Sequence, residues 1–181
     1  FANSDRAYAA YTNTFEYLAR SFEIADGVEL PVGGYAFQAL KVGWRLGQNR
    51  RLSGSLEVEH GSFYNGTRTA VRLNRGRLTL RPQLAIEPTY SVDWVDLEQG
   101  SFTTHLGGTR VIYTMSPRMF ASALVQYSST SGAIGANVRL RWEYQPGSEL
   151  FIVYNDEQDT RAVPLPANRS IIVKVTRLLR F

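Results

Sequence analysis

The chain contains no cysteine, which removes disulfide frameworks and thiolate metal sites together. It has two histidines, His60 and His105, so histidine chemistry has few candidates. No apolar run approaches the roughly 18 residues that a membrane-crossing helix requires. No stretch sustains a helical hydrophobic period, so helices are not expected. Charge of either sign is modest, with 20 Lys plus Arg against 16 Asp plus Glu and a formal balance of +4. The basic residues are spread among acids rather than gathered in a patch, which excludes nucleic acid as the expected partner. Gly-rich phosphate loops, aspartate dyads and His/Cys metal spacings are also missing, so no cofactor is expected.

What is present is alternation. From Ile134 to Tyr144, residues Ile134, Ala136, Val138, Leu140, Trp142 and Tyr144 share one parity, and Asn137, Arg139, Arg141 and Glu143 the other. A period of two over eleven residues makes a strand with one apolar and one polar side. The turn Gln145-Pro146-Gly147-Ser148 then leads to a partner strand, Glu149 to Asn155. The mean hydropathy of −0.22 looks soluble. An average of this kind is uninformative when the two faces cancel.

The same reading applied in order predicts ten strands. They begin near Ala7, Tyr35, Leu52, Thr67, Leu84, Phe102, Met119, Ile134, Glu149 and Arg169. Asn65-Gly66 is the strongest hairpin signal. The parity of the fourth strand breaks at Arg75-Gly76, which predicts a β-bulge. Pro88 lies inside the fifth strand, where it forfeits a ladder hydrogen bond and implies an edge, a bulge or a loop-proximal place. Segments 47–51, 82–83, 116–118 and 145–148 read as short turns, and 23–34, 96–101 and 156–168 as longer loops at the other end, although 62–66 and 129–133 at that end are not long. Short periplasmic turns opposite longer outer loops are a mark of outer-membrane barrels. The two chain termini then lie on the periplasmic side.

A soluble sandwich also alternates. Against it, Trp44, Trp94, Trp142, Tyr90, Tyr113, Tyr127 and Tyr144 fall near strand ends on the apolar parity, where interfacial girdles belong. The opposite parity carries Lys41, Arg45, Arg68, Arg72, Arg110, Arg139, Arg141, Lys174 and Arg180, with Glu16, Glu57, Glu59, Glu87, Asp93 and Glu143 among them. Charge on so many successive inward positions fits a wet lumen. The fold class expected is therefore all-β, an antiparallel transmembrane β-barrel of about ten strands over residues 1–181. The candidate lumen-lining residues are Lys41, Arg45, Glu57, Glu59, Arg68, Arg72, Arg110, Arg139, Arg141, Glu143 and Lys174. They line a water-filled path, or they interlock and fill a narrow barrel, since about eight strands are just filled by side chains. The basic excess favours anionic solutes. The final Phe181 resembles the signal read by the barrel-assembly machinery.

His60 and His105, near Ser62 and Ser101, read as interfacial residues rather than catalytic ones, and no catalytic or metal residue is assigned. Asp156, Glu157 and Asp159 read as solvated loop charge. The chain starts at Phe1 with neither Met nor an apolar leader, which reads as a fragment.

VDLEQGSFTTHL (95–106), SPRMFASALVQYSS (116–129), VRLRWEYQPGSELFIVYN (138–155) and NRSIIVKVTRLLRF (168–181) carry a resemblance. They look like the C-terminal region of a family of uncharacterised bacterial outer-membrane proteins. That family begins with a domain similar to family 9 carbohydrate-binding modules and ends in a β-barrel. The likeness spans about residues 35–181 and implies the C-terminal part of a larger barrel. It leaves the biochemical role of that barrel unassigned. The expectation from the alternating faces is a barrel embedded in a lipid bilayer, not an enzyme, that passes or binds small polar solutes or glycans. The alternatives are an anchoring barrel for an envelope protein partner or a missing N-terminal domain and, less favoured, a barrel-embedded hydrolase. The carbohydrate-binding module is absent, so no sugar-binding residue carries over. Arg177 departs from the pattern at an outward parity, where its long stem can reach the headgroups.

Overall fold

A computed structural model describes residues 4–47, 51–160 and 168–179. Every regular element in it is a strand, as the alternation dictates. Strand β1 (Arg6–Leu18) is followed by a small hairpin, β2 (Phe22–Ala25) and β3 (Val28–Leu30). Then come β4 (Gly33–Leu46), β5 (Leu52–Phe63), β6 (Gly66–Arg81) and β7 (Leu84–Leu97). After them lie β8 (Gly100–Ser116), β9 (Met119–Ser128) and β10 (Ala133–Gln145). The last two are β11 (Ser148–Asp159) and β12 (Asn168–Thr176).

Ten strands form one antiparallel meander in the order β1-β4-β5-β6-β7-β8-β9-β10-β11-β12, and β2 with β3 forms a separate two-stranded sheet. Among the described residues the meander is not closed: β1 and β12 are its two edges, each paired on one side only. Two compact units are present. One comprises 1–75 with 89–106, the other 76–88 with 107–181.

The register keeps the two parities apart. Leu40 opposes His60, Val42 opposes Val58 and Trp44 opposes Leu56 on one side, while Lys41 opposes Glu59 and Gly43 opposes Glu57 on the other. In the second unit Val138 opposes Tyr154 and Leu140 opposes Ile152. Because the side-chain period is two, one residue of slip would exchange the faces throughout.

At Arg75-Gly76, where the parity break predicts a bulge, β6 runs on without interruption. Arg75 has a positive φ of 52°. Arg68 and Arg72 before it, and Arg77 after it, all reach acids of one face although their parities differ. Gly76 is buried, and a Cβ there would come within 2.5 Å of Pro88 O. Pro88 thus sits in an interior strand beside the parity break.

Three connections differ from expectation. The 23–34 segment is the β2–β3 hairpin, turned at Gly27 with φ 76°. Residues 96–101 hold only the two-residue turn Glu98-Gln99, so one of the longer loops is short. Residues 156–159 belong to β11, so Asp156, Glu157 and Asp159 alternate along a strand instead of clustering in a loop. At Asn65-Gly66 the turn residues are Tyr64 and Asn65, with Tyr64 at φ 49°. Gly66 is needed for another reason: a Cβ on it would collide with Asp96 O of β7. The 48–50 turn and Arg180-Phe181 lie outside the described residues. Arg177 follows β12, so its strand parity no longer applies.

Candidate functional site

The core is small. Buried hydrophobics are Val28, Leu30, Ala70, Ala85, Val92, Val95 and Leu97, while Leu40, Val42, Trp44, Leu56, Val58, Tyr113, Val125, Val138, Trp142, Ile171, Val173 and Val175 are all exposed. These residues have the apolar parity, while Leu106 and Ile172 are exposed on the other parity, where the charged residues also lie.

In the first unit that face holds an interlocked charge cluster. Glu59 of β5 takes Lys41 Nζ at 3.0 Å from β4, and Arg68 and Arg72 at 3.3 and 3.4 Å from β6. Asp93 of β7 receives Arg72 at 3.2 Å, and Arg68 Nε lies 2.9 Å from the same oxygen as an ion pair outside hydrogen-bond geometry. Three cations therefore share two carboxylates across four strands. The side chains are one-fifth to one-third exposed. Pairs this shielded are screened less than surface ones. Nearby, the Tyr8 ring covers Gly43, where a side chain would collide with it, and its hydroxyl donates to Glu57 at 2.7 Å.

Towards the hairpin the same face turns apolar. Val28 and Leu30 pack with Val95 and Leu97, which share the parity of Asp93, and Leu18, Ile24, Phe63, Tyr64 and Phe102 surround them. Phe37, Phe63 and Tyr64 are in mutual ring contact, and Tyr35 packs edge-on against Tyr64. Arg68 lies over the Phe63 ring, which joins the charge cluster to this apolar end. Burial first, and its bond to Glu16 second, hold the Tyr64 phenol above its ordinary range.

In the second unit Arg77 reaches Glu87 at 2.9 Å, with Arg110 at 4.0 Å on the same carboxylate. Arg141 pairs with Glu149, and Glu143 accepts from Gly147 N–H at 3.1 Å. Arg139 donates to Asn137, which is joined to Asn155, and Asn155 donates to Ser170 at 3.1 Å. Lys174 stands opposite Phe151, next to the pair of Arg141 and Phe151.

Of the sequence-predicted residues, Lys41, Glu59, Arg68 and Arg72 are brought together in one cluster. Glu57 is held by Tyr8, Arg110 by Glu87, and Arg141 by Glu149. Arg45 stands opposite Arg6. Sequence reading did not assign Tyr8, Arg6, Arg77 or Asp5. Asp5 is buried and accepts from Gly47 N–H at 2.8 Å. A glycine on the polar parity, as at Gly43, was the available signal for an overlying aromatic. His60 bonds Thr69 at 2.8 Å and His105 bonds Tyr90 at 2.9 Å, whereas Ser62 accepts from Gln38 N–H. Among the described residues no group of three or more His, Cys, Asp or Glu could hold a metal ion.

No family model, curated protein or solved structure matches the chain.

Proposed function

We propose that the chain is a bacterial outer-membrane β-barrel, or the C-terminal part of one, that passes or binds small polar solutes, glycans among them. The observation that carries this reading is the one-sidedness of the sheet. One face leaves valines, leucines and tryptophans exposed, and the other links its charges in pairs. Burying a Val or Leu side chain is worth about 1.5–3 kcal/mol. A water-soluble chain would forfeit that at every such position, and soluble monomers rarely expose apolar patches beyond a few hundred Å². A bilayer removes the conflict. Strands of 9 to 17 residues are long enough for the roughly 9–11 that a tilted span needs.

In hydrocarbon the free edges of β1 and β12 would each leave backbone groups unpaired at several kcal/mol apiece. The proposal therefore requires β1 and β12 to pair with each other or with further strands. The termini are periplasmic, and Phe181 addresses the assembly machinery. This matches what the resemblance to the outer-membrane family implies.

A second reading, an anchoring barrel for a partner or for another domain, is favoured by the Glu59 cluster and the hairpin core. Both fill the face that a pore would keep open. Planar-bilayer recording separates the two. Discrete conductance steps are expected for a solute path, and silence with normal insertion would leave the anchor.

A further inference from the structure

The polar cluster around Glu59 is satisfied internally, but the turn-proximal end of the same face is not. Arg6 of β1 and Arg45 of β4 stand directly opposite each other in the ladder. Like charges set opposite across strands are destabilising. Both side chains are exposed, and neither makes a hydrogen bond or ion pair with a described residue. Asp5, in the same cavity lining, accepts from Gly47 N–H, and Glu57, opposite Gly43, accepts from the Tyr8 hydroxyl. Arg6, Arg45, Asp5, Ala7 and Tyr8 line a solvent-open cavity of about 770 Å³.

We propose that the Arg6–Arg45 pair, in this cavity, is a binding site for a phosphate group. The chemistry follows from the donors. Two planar guanidinium groups present forked N–H pairs that match tetrahedral oxyanions bidentately. A dianion between them turns the cross-strand repulsion into two attractions. The cavity has room for a phosphate with a small organic body. The proposal rests on reading the polar face as the one that solute meets, and it narrows the solute class to phosphorylated compounds. The same chemistry suits free phosphate and an anionic lipid headgroup.

The test titrates inorganic phosphate and pyrophosphate calorimetrically into the chain folded in zwitterionic detergent. Saturable binding is expected, weakened about tenfold by Arg6→Gln or Arg45→Gln and lost in the double variant. Arg118→Gln, in the turn between β8 and β9, should leave it unchanged. A thermal readout covers the case of altered folding. Without phosphate each single variant should melt no lower than the parent, because repulsion is relieved. Phosphate should raise the melting temperature of the parent more than that of either variant. A parallel arm uses vesicles with and without phosphatidylglycerol. Arginine-dependent binding there, with none to inorganic phosphate, keeps the phosphate chemistry and assigns it to a headgroup. Equal behaviour of parent and double variant towards both probes overturns the site. Phosphate binding in detergent by a chain that does not insert into bilayers would sink the barrel reading and leave the site standing.

Discussion

At the scale of single residues, neighbours one position apart have opposite environments. Val138 and Leu140 have the apolar parity of β10, and Arg139 and Arg141 the polar parity. An arginine facing lipid near the midplane costs roughly 2–4 kcal/mol. Leu140→Arg should therefore destabilise the bilayer-folded protein by about that amount, read from denaturant titration in lipid. Arg141→Leu should fold nearly normally and shift ion selectivity if the lumen conducts. Equal tolerance of both would return the chain to water. The Glu59–Asp93 cluster makes a separate demand. Asp93→Asn leaves Arg68 and Arg72 to share Glu59 with Lys41, and should cost about 1–3 kcal/mol given the partial exposure. Adding Arg72→Gln to Asp93→Asn should recover part of the loss, because the excess charge is removed. A purely additive double variant would mean that the cluster is not coupled.

At the scale of elements, the β2–β3 hairpin is the piece with its own packed core. Leu30 is fully buried, and Gly100 at φ 151° lets its strand approach Val28. Truncating a buried leucine to alanine typically costs about 2–5 kcal/mol. In Leu30→Ala the loss should fall on the hairpin alone, so limited proteolysis near Asp26-Gly27 should accelerate while the sheet stays resistant. If the protein conducts, the same variant should raise single-channel conductance, because Val28 and Leu30 occupy the polar face. The close approach of Gly76 to Pro88 is the second such device. Gly76→Ala would force a methyl against Pro88 O and should lower stability by about 1–3 kcal/mol. A neutral result would show that β6 and β7 can separate there at no cost.

For the whole molecule, the proposed barrel raises the question of which end faces out. Two-residue turns occur at both ends, at Tyr64-Asn65 and Glu98-Gln99 as well as at Pro82-Gln83, so turn length separates the ends less cleanly than the sequence suggests. The β2–β3 hairpin joins the end of β1 to the start of β4, away from the β4–β5 connection. Within it Glu29 is exposed between buried Val28 and Leu30. Glu29→Cys should react with an impermeant maleimide on intact cells, and Pro146→Cys, in the opposite turns, should not. The reverse pattern would invert the topology.

Local rules account for what the sequence determined by itself: ten main strands, their alternating parities, the parity break at Arg75-Gly76 and the turns at Pro82-Gln83 and 146–147. A period of two is written in neighbouring residues, and a parity break such as Leu73 to Leu78 needs no partner to be seen. Tertiary structure decided what depends on residues far apart. It chose Glu59 as the carboxylate shared by Lys41, Arg68 and Arg72, because three strands must be in register before the charges meet. The 23–34 segment became a packed hairpin because Val95 and Leu97, some 65 residues on, offered an apolar floor on a face otherwise polar. Gly66 is set by its approach to β7 rather than by its turn. Arg6 was set opposite Arg45 by the pairing of β1 with β4 across the hairpin, a contact that no local pattern encodes.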